Sequence, residues 1–179
     1  MLFRSTSDIA HGLHLSLNQA DEVKKKFGHA IAKEVGIEEL FSVRAYGEEN
    51  PIQISRRDLA FIIEARMEEI FRFVQQEIKR SGYDGLIPAG VVLTGGTSLL
   101  PGIRKLANEV LGLPVRVAQP ENLLGLVDQL YSPAYSTSVG LLNWALLFDE
   151  AIEPKTAKTP PLPNDLWLKI RDFARRLLP

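Results

Sequence analysis

The stretch GVVLTGGTSLLPG, residues 90–102, places two glycines where an apolar run ends and a proline-led segment begins. A Gly-Gly pair after a buried strand frees backbone N–H groups, and a helix starting just beyond would aim its positive end at the same point. That combination suits a phosphate or the edge of a nucleoside. Glycine serves a plain tight strand-to-helix turn equally well, so the residues by themselves leave both readings open.

Two basic clusters also carry chemistry. Arg56 and Arg57, with Arg66 further along the same periodic segment, present guanidinium forks that suit an acidic peptide. The alternative is a solvated helix surface in which they pair with Glu64, Glu68 and Glu69. The second cluster is NDLWLKIRDFARRLLP, residues 164–179. Asn164 can cap a helix and Asp165 suits its positive end, while Leu166, Trp167, Ile170, Phe173 and Leu177 fall on one stripe. Lys169, Arg171, Arg175 and Arg176 lie beside or opposite that stripe. Such a helix can lie in a membrane interface with Trp near the headgroups, or dock on its own domain or a partner.

No catalytic residue or metal ligand is expected. Ser98 does not sit in a Gly-x-Ser-x-Gly elbow, and His11, His14 and His29 form no nucleophile or metal pattern. The absence of cysteine excludes disulfides, thiolate zinc sites and cysteine nucleophiles.

The elements that must position these groups follow from periodicity. Ser16 and Gln19 form a capping-box pattern before a helix carrying Leu17, Ala20, Val23, Phe27 and Ala30 at helical spacing. LFSVRAYG (40–47) and PIQIS (51–55) read as two strands of a hairpin around EENP. Ser55 and Asp58 open a long helix that continues to Gly82, with Leu59, Ile62, Ile63, Met67, Ile70, Phe71, Val74 and Ile78 on one broad face. Then come a buried strand at 90–94, a helix opened by Pro101 and stopped near Gly112, a strand at PVRVA, and a helix at YSTSVGLLNWALLF. Strands alternating with helices indicate an α/β layer, with the hairpin and long helix as an insertion. EPKTAKTPPLPND (153–165), with four prolines, reads as an extended linker.

Composition bounds the function. The chain has 179 residues, 45% hydrophobic, enough for one domain that buries roughly 70% of its extended-chain surface. A formal net charge of −1 provides no global field for nucleic acid. No apolar run is long enough to span a bilayer, and MLFRSTSD turns polar too early for a secretory signal.

Three separated segments, in order, resemble the bacterial cell-division protein FtsA: TSDIAHGLHLSLNQADEVKKKFGHA (6–30), ISRRDLAFIIEARMEEIF (54–71) and VVLTGGTSLLPGIRKLANEVLGLPVRVAQPENLLGLVDQLYSPAYSTSVGLLNWAL (91–146). The resemblance implies a partial actin-like (ribonuclease H-like) α/β domain with a small sheet-plus-helices IIB-like subdomain and a C-terminal amphipathic helix. On that scheme residues 1–36 are the helical start of domain two, 37–88 the IIB-like insertion and 89–150 the IIA-like segment with the Gly-Gly loop. Residues 151–164 are the proline-rich linker and 165–179 the membrane-targeting helix.

The resemblance also implies roles. Thr94, Gly95 and Gly96, with Thr97 where the family often has glycine, would lie beside a bound adenosine that Lys24 and Lys25 approach from the other side. The acidic glycine loops that hold the phosphates and Mg²⁺ in the family precede the point where this chain begins. ATP and Mg are therefore expected only in a complete member, with no tight binding and no ATPase activity in this chain alone. The IIB-like surface, with Arg56, Arg57 and Arg66, would receive the C-terminal tail of the tubulin-like FtsZ. The helix 165–179 would hold the chain peripherally on anionic lipid at the cytoplasmic face of the inner membrane. Self-association with actin-like protomers is a further possibility, and no nucleic-acid partner is expected. The alternatives are half of an actin-like ATPase completed by a missing lobe, or a PilM-like pilus-assembly protein that docks a peptide.

Overall fold

The computed structural model describes residues 2–44, 50–121, 123 and 130–152. The chain divides into two units, 1–140 and 141–179. In the second unit the described residues, 141–152, are helical.

The first unit opens with two helices packed on each other, α1 (Leu2–Gly12) and α2 (Leu17–Phe27). The expectation had its first helix begin at Ser16, so α1 is an addition. No cap pattern announces it, yet Ser5 and Ile9, one turn apart, are buried against the neighbouring helices. Tertiary packing supplies what local propensity does not. For α2 the capping box forms as expected. Gln19 N donates to Ser16 Oγ at 3.4 Å, and Ser16 N to Gln19 Oε1 at 3.1 Å. The helix ends at Phe27, where Gly28 turns extended and donates its N–H to Lys24 O at 3.0 Å.

The hairpin is present as β1 (Leu40–Val43) and β2 (Ile52–Ser55), antiparallel with Leu40 opposite Ser55. Alternation turns Phe41 and Ile54 inward, and the Phe41 ring stacks on Phe27 with centroids 4.5 Å apart. The expected continuation of the first strand to Gly47 runs into residues 45–49, outside the described residues.

From β2 the chain passes directly into α3 (Arg56–Arg80), 25 residues long, capped by Ser55 Oγ, which accepts from Asp58 N at 3.3 Å. Its inward stripe, Leu59, Ile63, Met67 and Phe71, repeats every four residues, and Leu59 and Ile63 are fully buried. Burying such a side chain contributes about 1.5–3 kcal/mol relative to leaving it in water. Against α3 packs α4 (Ile103–Leu111), which buries Ile103, Leu106, Ala107 and Leu111. α4 is the crossover between two parallel strands, β3 (Val91–Leu93) and β4 (Val115–Val117), with Val91 opposite Val115. Residues of α1 to α4, the hairpin and the parallel pair share one continuous hydrophobic core.

The passage out of β3 differs from the expectation in a way that matters for chemistry. No α-helix starts at the glycines. Gly96–Leu99 form a short 3₁₀ turn, Leu100 is extended (φ −61°, ψ 129°), and α4 begins only at Ile103, after Gly102 at φ 79°. The cause is Pro101, whose ring disfavours a helical conformation in the residue before it. The expected alignment of a helix dipole on the Gly-Gly loop is therefore absent. The last helix, α5, runs Ser136–Ile152.

Candidate functional site

A cavity of about 480 Å³ brings Lys24 and Lys25 of α2 together with Gly96 and Thr97. Its remaining walls include Asp21, Leu100 and Ala134. Sequence separation between the two sides is about seventy residues, and it is the packing of the core that closes it. Asp21 was not singled out from sequence, although its spacing of four from Lys25 was a readable signal; the two form an ion pair at 2.5 Å. Ala134 carried no signal at all.

Lys24 is the unusual residue here. Its side chain is only 4% exposed, and its ammonium donates to Ser5 Oγ on α1 at 2.7 Å. Burial lowers its pKa below the ordinary lysine value, with Asp21 opposing that shift and Lys25 adding to it. Lys25, by contrast, is exposed.

The loop is pinned from the β4 and α5 side. Gly95 N donates to Pro133 O at 2.9 Å, and both the N–H and the hydroxyl of Ser98 donate to Gly95 O, at 3.0 and 2.7 Å. The Thr94 hydroxyl donates to Ala118 O at 3.0 Å and lies 2.6 Å from the Ser136 hydroxyl. Thr94 and Gly95 thus hold the loop in place, and Gly96 and Thr97 are the loop residues that reach the cavity. Gly95 sits at φ 93°, ψ 168°, a conformation open essentially to glycine alone.

A nucleoside fits this wall chemically. The exposed Lys25 ammonium offers donors, the Asp21 carboxylate offers acceptors, and the glycine at position 96 permits close approach of backbone, whereas the Lys24 ammonium is buried on Ser5 and contributes only its stem to the wall. A divalent cation does not find its ligands: among the described residues no three His, Cys, Asp or Glu side chains are grouped to hold one.

The three arginines separate. Arg56 donates Nε to Phe27 O at 2.9 Å and Nη1 to Glu39 at 2.5 Å, tying α3 to α2 and to the start of β1. The Gly36 N–H first, and then Arg56, hold the Glu39 carboxyl below the usual carboxylate range. Arg66 makes a two-pronged pair with Asp8 of α1, Nη2 to Oδ1 at 2.7 Å and Nε to Oδ2 at 2.5 Å, and also pairs with Glu69. Asp8 raises the Arg66 pKa further. Arg57 makes no ion pair with a described residue. It borders a depression of about 400 Å³ with Lys33, Phe61 and the acids Asp58, Glu64 and Glu68. Phe61 there is 67% exposed, and Glu64 accepts from Ala32 N at 2.7 Å. Lys33 and Phe61 escaped the sequence reading because nothing local ties position 33 to α3.

The third expected site, Leu166, Trp167, Lys169, Ile170, Arg171, Phe173, Arg175, Arg176 and Leu177, lies outside the described residues. Among the described residues no helix is long and apolar enough to cross a membrane.

Comparison with known proteins agrees with this architecture. The family model for cell division protein FtsA matches residues 4–140. The chain is 45% identical to the FtsA of Pseudomonas aeruginosa over 141 residues, covering 79% of this chain and 34% of that protein. It is 42% identical to the FtsA of Bacillus subtilis over 140 residues, covering 78% of this chain and 30% of that one. The chain thus spans about a third of the length of these relatives. In fold it is similar to MreB5 of Spiroplasma citri bound to ADP, with a TM-score of 0.61 at 17% identity, over 85% of this chain and 46% of that structure. That likeness makes the α/β architecture a partial actin-like domain. Three ordered motifs, a matching family model and relatives above 40% identity all agree: the chain belongs to the FtsA cell-division protein family.

Proposed function

We propose that this chain is a cell-division adaptor module that grips the acidic and apolar C-terminal tail of FtsZ and ties it to anionic lipid at the cytoplasmic face of the inner membrane. The observation that carries the tail-binding half is the surface at the start of α3. Arg57 and Lys33 line one depression with the exposed ring of Phe61, beside the carboxylates Asp58, Glu64 and Glu68, so the two cations and the apolar ring are the groups there that an acidic, apolar tail would use. An acidic, apolar peptide can place its carboxylates on the former and an aliphatic side chain on the latter. Arg56 and Arg66 act on this surface from behind, by holding α3 against β1 and α1. The lipid-binding half rests on the composition of residues 165–179. Four cations near an anionic surface contribute on the order of 1 kcal/mol each before the two acids are discounted.

The test is fluorescence anisotropy of a labelled FtsZ tail peptide. Arg57→Glu should weaken binding by roughly tenfold or more at low salt, as expected for losing a charge-assisted contact. Arg66→Ala, in folded protein, should change it little. Equal affinity of wild type and Arg57→Glu removes the tail from this surface.

A second reading has its own support. The cavity shared by Lys24, Lys25, Gly96 and Thr97 is one wall of a nucleotide site. ATP with Mg²⁺ would bind only when a second lobe supplies the phosphate side, and a bound adenosine would lie between α2 and the loop. Equilibrium dialysis of ATP with and without the amino-terminal lobe of an FtsA relative separates this from a purely structural loop. The PilM-like alternative loses its ground with the family assignment.

A further inference from the structure

Residues 29–35 leave α2 without joining a strand, so the N–H groups of this strap must each find a partner individually. Three successive ones do so in three different places. Ala30 N donates to Pro101 O at 2.8 Å, Ile31 N to Nδ1 of the His29 ring at 3.1 Å, and Ala32 N to Glu64 Oε2 of α3 at 2.7 Å. Ala30, Ile31 and Ala32 are buried, so losing one of these acceptors would strand a donor away from water. The acceptor supplied from within the strap is His29. Its ring is 13% exposed and lies against the opening of α4, where a Cβ added to Gly102 would stand 2.9 Å from His29 Cε1. Because Nδ1 accepts, its lone pair is in use, and the neutral ring carries its proton on Nε2. Nε2 stands 3.7 Å from Glu34 Oε2, and the other oxygen of Glu34 accepts from Lys105 Nζ of α4 at 2.7 Å. Between Ala32 and Glu34 is the exposed Lys33, at the depression it shares with Arg57 and Phe61.

We infer that His29 is a positioning residue of the tail-binding surface: its ring, as the Nε2–H tautomer, ties down Ile31 N and so fixes the turn that holds Lys33 at the depression. The inference rests on the tail-binding reading proposed above. Lys33 forms no ion pair with a described residue, so its place is set by its backbone. That backbone has two anchors, Ala32 N on Glu64 before it and the Glu34 carboxylate on Lys105 after it. His29 stands at both, bonding the neighbour of Ala32 through Nδ1 and facing Glu34 with Nε2. Without the ring acceptor, Ile31 N–H is a buried donor with nothing to bond, and the strap satisfies it only by opening, which carries Lys33 away from Arg57 and Phe61. What position 29 must supply is an acceptor two residues before Ile31 N, not an imidazole as such. Asparagine supplies one, because its side-chain oxygen takes the N–H two residues on in an Asx turn. Leucine fills the space and supplies none.

The experiment measures anisotropy of the labelled FtsZ tail peptide on the full chain carrying His29→Leu, His29→Asn, Lys33→Ala and the double change His29→Leu with Lys33→Ala. Lys33→Ala should weaken binding about threefold at low salt, as for one partly screened charge contact. His29→Leu should match that loss, His29→Asn should keep the wild-type affinity, and the double variant should bind no more weakly than Lys33→Ala alone, because both changes remove the same contact. Nuclear magnetic resonance supplies a readout on the wild type that needs no variant to fold: the His29 ring should carry its proton on Nε2. Amide exchange of Ile31 and Ala32 should speed up about tenfold or more in folded His29→Leu and return to the wild-type rate in His29→Asn. A ring protonated on Nδ1, an asparagine that restores nothing, or losses that add in the double variant each overturns the inference. A loss in Lys33→Ala with none in His29→Leu overturns it and leaves the tail-binding reading standing. Unchanged affinity in both Lys33→Ala and Arg57→Glu overturns that reading and this inference with it.

Discussion

Lys24 and Ser5 meet inside the protein: the lysine ammonium donates to the serine hydroxyl at 2.7 Å, with both side chains nearly sealed from solvent. No carboxylate accepts from Lys24 at hydrogen-bonding distance among the described residues, since the nearest acid of its own helix, Asp21, is paired with Lys25. A buried ammonium without a direct counter-ion costs stability as long as it is charged.

The sign of the resulting pH dependence follows from the lowered pKa. Between the folded pKa and 10.5, the ordinary value, the unfolded chain binds more protons than the folded one. Stability from this group therefore rises as pH increases through that window, and the penalty is present in full below it. Lys24→Met should flatten the rise and leave the protein as stable as wild type, or about 1 kcal/mol more so, at neutral pH. Urea midpoints from neutral to alkaline pH measure this. A wild-type stability that falls across the window relative to Lys24→Met would show that the fold favours the charged form.

Gly95 and Gly96 should differ sharply despite being adjacent. Gly95→Ala places a side chain at φ 93° and should cost about 1–3 kcal/mol. At Gly96 an added Cβ comes no closer than 3.8 Å, to Ala134, so Gly96→Ala should stay within about 0.5 kcal/mol. Thermal melts of the two variants decide it, and similar losses in both would mean that the loop has another conformation.

Ile63 is fully buried on α3 where that helix crosses the core. Ile63→Ala should destabilise by about 2–5 kcal/mol. Phe61→Ala, two residues earlier but 67% exposed, should change stability by no more than about 0.5 kcal/mol while weakening the FtsZ tail. Denaturant curves combined with peptide binding separate the two roles.

The membrane half of the proposal is checked by liposome flotation. The full chain should float with anionic vesicles and much less with neutral ones, whereas a chain ending at Thr159 should stay at the bottom with both. Flotation of the shortened chain would move the lipid contact into the folded body, and no flotation of either would leave residues 165–179 as a helix for a protein partner.

Much of this architecture was legible along the chain. The capping box of Ser16 and Gln19, the Ser55 cap and the broad apolar face from Leu59 to Ile78 all specify helices through neighbours three or four positions apart, and packing buried only the stripe Leu59, Ile63, Met67 and Phe71 of that face. α1 was not legible, because its burial of Ser5 and Ile9 depends on helices that lie elsewhere in the sequence. The start of α4 was misplaced by two residues, since Pro101 can open a helix or hold its predecessor extended, and only the packed loop selects between these.

The same division holds for the functional surfaces. Sequence alone determined the family, the presence of the glycine loop, the arginines and the basic apolar tail, because residue types and spacings are local properties. Which arginine faces outward was decided by tertiary structure. Asp8 and Glu39 reach Arg66 and Arg56 only once α1 and the hairpin pack on α3; Asp8 holds Arg66 by a two-pronged pair, and Glu39 together with the Phe27 carbonyl engages Arg56. Arg57, one position from Arg56, points to a side of the helix where no described acid completes such a pair, and that angular step of a helix is what separates a structural cation from one available to a partner.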